Sequence, residues 1–237
     1  MPIASRSSAS DGYTANLKKV LAAFFLILPW PLRRVALVAL FGYKIHPTAR
    51  IGLSIIWSER LEMDAGARIG HLTMCKGLAL LKMGEKSSIG NLNWISGFPS
   101  SDRTFFSAEF GRRPELILGA QAAVTNRHFL DCTNSVQIGR FTTFAGIRSQ
   151  ILTHGIDFCQ SQQSSKPVTI GEYCFIGTGS VLLAGCVLPD YSVLGASSLL
   201  NKQFVDPYFL YAGNPAKPVK PLPKEMGYFT RSTGFVY

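Results

Sequence analysis

Between residues 170 and 200 the large aliphatic side chains fall at Ile170, Ile176, Leu182, Leu188, Leu194 and Leu200, a strict spacing of six. Four positions after each of the first five stands a small residue: Cys174, Ser180, Cys186, Ser192 and Ser198. A period of six is neither the 3.6 of a helix nor the two-residue alternation of a strand. It describes a chain that turns a corner every six residues, with one aliphatic per side pointing inward and a small residue where the bend leaves little room. Three sides close one triangular coil, and stacked coils bury a continuous apolar rod that no single repeat could bury alone.

The same grid is legible upstream at Ile45, Ile51, Trp57, Met63, Ile69 and Cys75, with Ala49, Ala67 and Thr73 at small positions. Two extra residues then shift the phase, and Met83, Ile89 and Ile95 resume it. The segment 98–114 (FPSSDRTFFSAEFGRRP) breaks the period and reads as an excursion loop. Leu118, Val124 and Leu130 continue the grid, Ile138 and Phe144 follow after another shift, and a second excursion spans about 154–166. The expected organisation is an N-terminal segment over 1–44, a parallel β-helix over 45–205 with loops near 98–116 and 154–167, and a basic, Pro-rich tail over 206–237. Loops that leave a rigid solenoid are where function is usually mounted.

Residues 1–16 are polar, whereas 17–42 is the most apolar stretch of the chain. It does not read as a membrane span: Pro29 and Pro31 interrupt it, and Arg33 and Arg34 would each cost about 2.5–3.5 kcal/mol at a bilayer centre. No small-x-small cleavage site follows it. Two helices are expected instead, over about 17–28 and 32–41. One reading lays them on an anionic membrane surface, with Lys18, Lys19, Arg33 and Arg34 as the cationic flank. The other makes them a cap on the exposed end of the solenoid.

Composition changes this picture in two respects. With 47% hydrophobic and 16% charged residues, general disorder is excluded. The formal net charge of +10 asks for a negative partner: a phosphorylated small molecule, an anionic membrane or nucleic acid. Nucleic acid is disfavoured, because the basic residues are scattered and form no recognisable binding signature. The five cysteines show no CxxC pair, and Cys75, Cys174 and Cys186 sit on the grid as small core residues, which suits a reducing cytoplasm. No metal site is expected, since the four histidines are dispersed and no acidic cluster accompanies them.

The order THGID (153–157), PVTIG (167–171), FIGTGSVLLAGCVLPDYSVLGASSLL (175–200) and YAGNPAKPVK (211–220) resembles the hexapeptide-repeat acyltransferases. The nearest branch holds the maltose, galactoside and xenobiotic O-acetyltransferases and the acetyltransferases of exopolysaccharide clusters. The likeness is tight over about 130–221 and looser over 31–97. It implies a left-handed parallel β-helix, assembled as a homotrimer, that uses acetyl-CoA to acetylate a sugar hydroxyl. The implied acceptor is a cell-surface polysaccharide precursor or lipid-linked glycan, handled in the cytoplasm or on the inner face of the membrane. Two alternatives stay open: N-acetylation of an amino sugar, and a non-catalytic β-helix scaffold.

Acyl transfer from a thioester to an alcohol needs a base near neutral pH, a role that histidine fills. His46 and His71 follow grid aliphatics in coil corners, and His128 stands at a small-residue position, either packed or facing the substrate. His154 opens the second excursion and matches the family's histidine, so it is the expected general base. Asp157, three residues on, either orients the imidazole or simply makes a turn. Gly177 and Gly179 are the backbone candidates for the oxyanion donor. Small residues Ala184, Gly195, Ala196, Ser197 and Ser198 would line the groove for the pantetheine arm of coenzyme A, and Lys202, Lys217 and Lys220 would meet its phosphates. No cysteine is expected to act as a nucleophile.

Overall fold

The computed structural model describes residues 25–102 and 104–236. They form a left-handed parallel β-helix with three faces, of seven, nine and seven strands. Successive strands within a face are one coil apart, so Ile56, Cys75, Ile95, Leu130, Ile151, Leu182 and Leu200 stand in line on the third face. On the second face Ile51, Ile69, Ile89, Val124, Phe144, Ile176 and Leu194 do the same, and Tyr211 continues the row. All of these side chains are buried.

The grid holds with one local error. Ile56, not Trp57, points inward, because the coil turns at Gly52–Ser54 after a side one residue short. Trp57 is left half-buried on the outer surface. The phase shifts also have a physical content. On the first face the strands Arg60–Met63, Leu80–Met83 and Glu115–Leu118 each turn two residues inward, Leu61 with Met63, Leu81 with Met83, and Leu116 with Leu118.

Corners are made by residues in the left-handed region, three positions after an inward aliphatic. Lys86, Gln121, Phe141, Tyr173 and Tyr191 have φ between 53° and 58°, a conformation that costs L-residues about 1–2 kcal/mol each. Each of their N–H groups donates to a carbonyl of the coil before it, as in Tyr191 to Glu172 O at 2.7 Å. The rings of Phe141, Tyr173, Tyr191 and Tyr208 stack in a column down this edge, with centroids 4.6, 5.1 and 4.7 Å apart. At the next edge the small positions form an internal ladder: Ser54, Thr73, Asn93, His128, Ser149, Ser180 and Ser198 link each coil to the next through side-chain-to-backbone hydrogen bonds. The cysteines on the grid behave as core residues, and burial pushes the Cys75, Cys174 and Cys186 thiols up to about 12.

The first predicted N-terminal helix lies largely outside the described residues; its end, Phe25–Ile27, is a 3-10 turn. The second is α1, Trp30–Phe41, which caps the first coils. Its arginines face the protein. Arg33 is buried and donates to Gly52 O at 2.7 Å and Ser54 O at 2.6 Å, and Arg34 donates to Ile45 O at 3.0 Å. The outer surface of α1 carries Leu32, Val35 and Leu40 at 60, 59 and 53% exposure. Of the expected cationic flank, Arg33 is thus turned into the protein and Arg34 is half-buried, while Lys18 and Lys19 lie outside the described residues. No described helix is long and apolar enough to cross a membrane.

At the other end the solenoid runs past residue 205. Phe209–Ala212 joins the second face beside Val193–Leu194 and pairs antiparallel with Lys217–Pro221. The short helix α2, Gly227–Thr230, then packs Phe229 against Tyr191 and Tyr208 of the aromatic column.

Candidate active site

The second excursion is an antiparallel hairpin, His154–Asp157 against Gln162–Ser165, that leaves the edge where the third face meets the first. His154 sits at its root. The residue that holds the imidazole is Asp131, one coil back. Its Oδ2 lies 2.6 Å from His154 Nδ1 and also accepts the N–H groups of His154 at 3.1 Å and Thr153 at 2.8 Å. Thr153 Oγ1 donates to the same oxygen at 3.0 Å, while Thr133 donates to Oδ1 from Oγ1 at 2.6 Å and from its N–H at 3.1 Å. Asp131 is 3% exposed. Burial alone would raise its pKa, but the hydrogen bonds from His154 and Thr133, with the charge of His154, outweigh burial and hold the carboxyl below its ordinary value. An ionised Asp131 fixes the proton of His154 on Nδ1 and leaves the Nε2 lone pair for chemistry.

Asp157 does not take this role. Its Oδ1 accepts the N–H groups of Cys159 at 2.8 Å and Gln160 at 3.1 Å, so it caps the tip of its own hairpin. His128 is an internal rung, not a residue facing a substrate. It is 2% exposed, its Nδ1 accepts the Ser149 N–H at 3.2 Å, and its Nε2 lies 2.9 Å from Thr125 Oγ1. Burial lowers its pKa to about 4, so the ring is neutral at physiological pH.

Both excursions build the wall around His154. Phe98 and Phe106 of the first loop stand nearly perpendicular to the imidazole, with centroids at 5.6 and 5.9 Å. Arg112 sits 4.3 Å over the Phe106 ring and donates to Phe98 O, Pro99 O and Thr133 O. The carboxylate of Glu109 accepts the N–H and hydroxyl of Ser165, which ties the first loop to the hairpin. The result is a cleft of about 230 Å³ on the third face, with Lys76, Ser96, Phe129 and Thr133 on its remaining sides.

The residues expected to hold coenzyme A divide between two edges. Gly177, Gly179, Gly195, Ala196 and Ser197 stack at the corner between the second and third faces. A Cβ on Gly177 would lie 2.4 Å from the Ala196 nitrogen, so close coil stacking demands glycine there. Ala184 stands instead at the His154 edge, and Ser198 is 2% exposed with its Oγ accepting the Gly213 N–H inside the ladder, so it does not line a groove. The N–H of Gly177 donates to Leu194 O at 2.8 Å and that of Gly179 to Ile147 O at 3.0 Å. Both proposed oxyanion donors are thus consumed by the coil ladder. Lys217 and Lys220 lie exposed on the terminal strand opposite Ala212 and Leu210, and Lys202 Nζ lies 5.3 Å over Phe204. Between Gly179 and Ala184 runs the strand Val181–Leu183, so the glycine corner and the His154 edge are separated by the width of a face, roughly 16 Å. Among the described residues no group of His, Cys, Asp and Glu is arranged to hold a metal ion.

With coils, corners and site in view, the chain is a hexapeptide-repeat β-helix, and the resemblance read from its motifs holds for the fold. The polysialic acid O-acetyltransferase OatWY superposes with a TM-score of 0.58 at 18% identity, covering 76% of this chain and 84% of that one. A Bacillus cereus N-acyltransferase, AntD, solved with dTDP-4-amino-4,6-dideoxyglucose and coenzyme A, gives a TM-score of 0.48 at 14% identity, covering 73% and 86% of the two chains. A Schizosaccharomyces pombe protein named among the acetyltransferases is 32% identical over 76 residues, 31% of this chain. The match spans about a third of that relative, 36% of its length. No family model matches the chain.

Proposed function

We propose that this protein transfers an acetyl group from acetyl-CoA to a hydroxyl of a sugar, by direct attack with His154 as general base. The observation that carries the reading is the contact of 2.6 Å between His154 Nδ1 and the buried carboxylate of Asp131 inside the cleft. A scaffold has no need to bury an ionised carboxylate, which is costly unless fully hydrogen-bonded. Here the hydrogen bonds from Thr133, Thr153 and His154 are all directed at orienting one imidazole.

In the reaction Nε2 of His154 takes the acceptor's hydroxyl proton as the oxygen adds to the thioester carbonyl. The tetrahedral intermediate collapses with cleavage of the carbon–sulfur bond, and the imidazolium returns the proton to the departing thiolate. Asp131 stabilises the imidazolium throughout. No acyl-enzyme is required, and the free cysteines are buried except for Cys159, which lies on the exposed hairpin.

The separation of the glycine corner from His154 supports a homotrimer, in which a neighbouring copy presents its glycine corner and the Lys202, Lys217 and Lys220 end to this cleft. The apolar outer face of α1 supports peripheral attachment at the cytoplasmic side of a membrane. A thiol-release assay tests the chemistry: His154→Ala should lower kcat by about 10²–10⁴ with acetyl-CoA affinity changed by less than about threefold. Wild-type kcat in His154→Ala would end the reading. Shared sites have their own test, since mixing His154→Ala with Gly195→Trp chains should restore activity that neither has alone. Scattering that shows a fully active monomer would exclude the trimer.

A further inference from the structure

The C-terminal segment folds back across the outside of the second face. Tyr228 stands nearly perpendicular to Phe175, with centroids 5.9 Å apart, and the Gly234 N–H donates to Gln121 Oε1 at 2.8 Å. Between this segment and the second face is a pocket of about 470 Å³, walled by Val124, Phe175, Tyr228, Phe235 and Val236. Ser88, Thr125, Asn126 and Thr143 also line it, and no charged side chain does. Thr125 Oγ1 donates to Gly146 O at 2.7 Å, Asn126 Oδ1 accepts the Asn91 N–H at 2.7 Å, and the Tyr228 hydroxyl donates to Cys174 O at 2.9 Å. These polar groups are turned to partners of their own, which leaves the pocket suited to an apolar occupant. Thr125 and Asn126 place one side of it at the corner between the second and third faces.

The hairpin that starts at His154 ends in an apolar tip. Ile156 is 56% exposed and Phe158 is 89% exposed. Ile156 lies two residues from His154 on one strand, so both side chains stand on the same face of the hairpin. A two-stranded hairpin standing alone is marginally stable in water. This one is tied to the molecule at its root, where Ser165 bonds Glu109 and Asn134. It leaves between Leu152 and Val168, whose two coils also contain Thr143 and Phe175 of the pocket. Tip and pocket therefore stand at one height along the stack. The hairpin springs from the edge opposite the second face, so no chain can fill its own pocket.

We infer that the hairpin of one copy seats Phe158 in the pocket of the next copy, under its C-terminal segment. The inference rests on the trimer of the proposed function, in which the glycine corner of one copy meets the His154 edge of another. A threefold axis along the stack preserves height, and so brings the tip of each copy to the pocket of its neighbour. Because His154 lies at the root of the seated hairpin, the C-terminal segment of one chain steadies the base of the next.

Cys159 follows Phe158 at the tip and is the one exposed cysteine of the five. Oxidation of the full-length Val236→Cys variant should join Cys159 of each copy to the substituted position of the next and stop at a three-chain species on a nonreducing gel. Cys159→Ser in the same background should abolish that species. A two-chain product alone, which Cys159 can form with itself, would overturn the inference, as would a ladder running beyond three chains. Scattering on a dilution series gives a second measure. Phe158→Ser should raise the concentration at which trimers dissociate at least about tenfold, and Phe158→Leu should stay within about threefold of wild type. An unchanged dissociation point in Phe158→Ser would also overturn the inference. The readings fail separately. A wild-type trimer that gives no three-chain product removes this contact and keeps the trimer, whereas a wild-type monomer removes both. A three-chain product from a protein that acetylates no acceptor keeps the contact and removes the enzyme.

Discussion

Asp131→Asn isolates the orienting role of the carboxylate from its space-filling role. Asparagine has the same shape and keeps one acceptor oxygen, which can still receive the hydroxyl and N–H of Thr133. The second oxygen becomes an NH₂ group facing the N–H groups of Thr153 and His154 and the Nδ1 of His154. Nδ1 must then accept, so the imidazole proton moves to Nε2 and the base is lost. The expected fall in kcat is of the order of 10²–10⁴, the full contribution of a general base. Two N–H groups, one buried and one part-buried, are left facing a donor, at about 1–3 kcal/mol each, so the variant should also be less stable by about 2–6 kcal/mol. The assay is thiol release at saturating acetyl-CoA, with a melting curve on the same sample. Asp157→Asn is the control and should change kcat by less than about twofold, because its carboxylate serves only the hairpin tip. A folded Asp131→Asn protein with wild-type kcat would refute the argument, and a dead Asp157→Asn beside it would return the orienting role to the hairpin.

Two further outcomes follow from the same geometry. His128 has a folded pKa lowered from 6.5 to about 4, so its contribution to stability is intact above pH 6.5 and is lost as the pH falls from 6.5 toward 4, amounting to about 3 kcal/mol. His128→Asn should flatten denaturant midpoints across that window relative to wild type, and parallel curves would show that the ring is not a buried neutral rung. Val35→Asp, on the outer face of α1, should cut flotation with phosphatidylcholine vesicles at least about fivefold and leave the melting temperature within about 2 °C; undiminished flotation would remove α1 from the membrane contact. Binding to these vesicles should respond weakly to salt, because phosphatidylcholine carries no net charge.

The sequence is most legible where sides have equal length. From Ile170 to Leu200 every side is six residues, and every predicted inward residue is buried. At Trp57 the reading slips because one side is a residue short, a difference set by the Gly52–Ser54 turn and invisible to a fixed period. The partner of His154 escaped notice for a related reason. Residues in adjacent coils are neighbours in space, but the inward residues of the first face are separated by 18 positions between Ile45 and Met63 and by 35 between Met83 and Leu118. No constant offset leads from a histidine to its carboxylate until the register is known; Phe129–Asp131 beneath Gln150–Leu152 supplies it. Counting one coil back from His154 by the offset between Leu130 and Ile151 reaches Thr133, two residues beyond Asp131, so even the register brings the reading only to the neighbourhood of the carboxylate. The glycine amides failed as oxyanion donors on more general grounds, since a backbone N–H at the end of a ladder strand is normally already paired.

The link between Glu109 and Ser165 bears on how such a site can change over time. His154 and Asp131 belong to the root of the hairpin and the solenoid edge, whereas Phe98 and Phe106 arrive on a loop whose ends, Ile95 and Glu115, are anchored in the stack. Replacing 98–114 by a segment of different length would leave every coil in register and the Asp131–His154 pair intact. It would exchange only the wall against which an acceptor is measured. On the proposed function, the chemistry and the choice of acceptor would be carried by separately heritable pieces of chain, joined by the Glu109–Ser165 pair and by the bonds from Arg112 and Phe98 to Thr133.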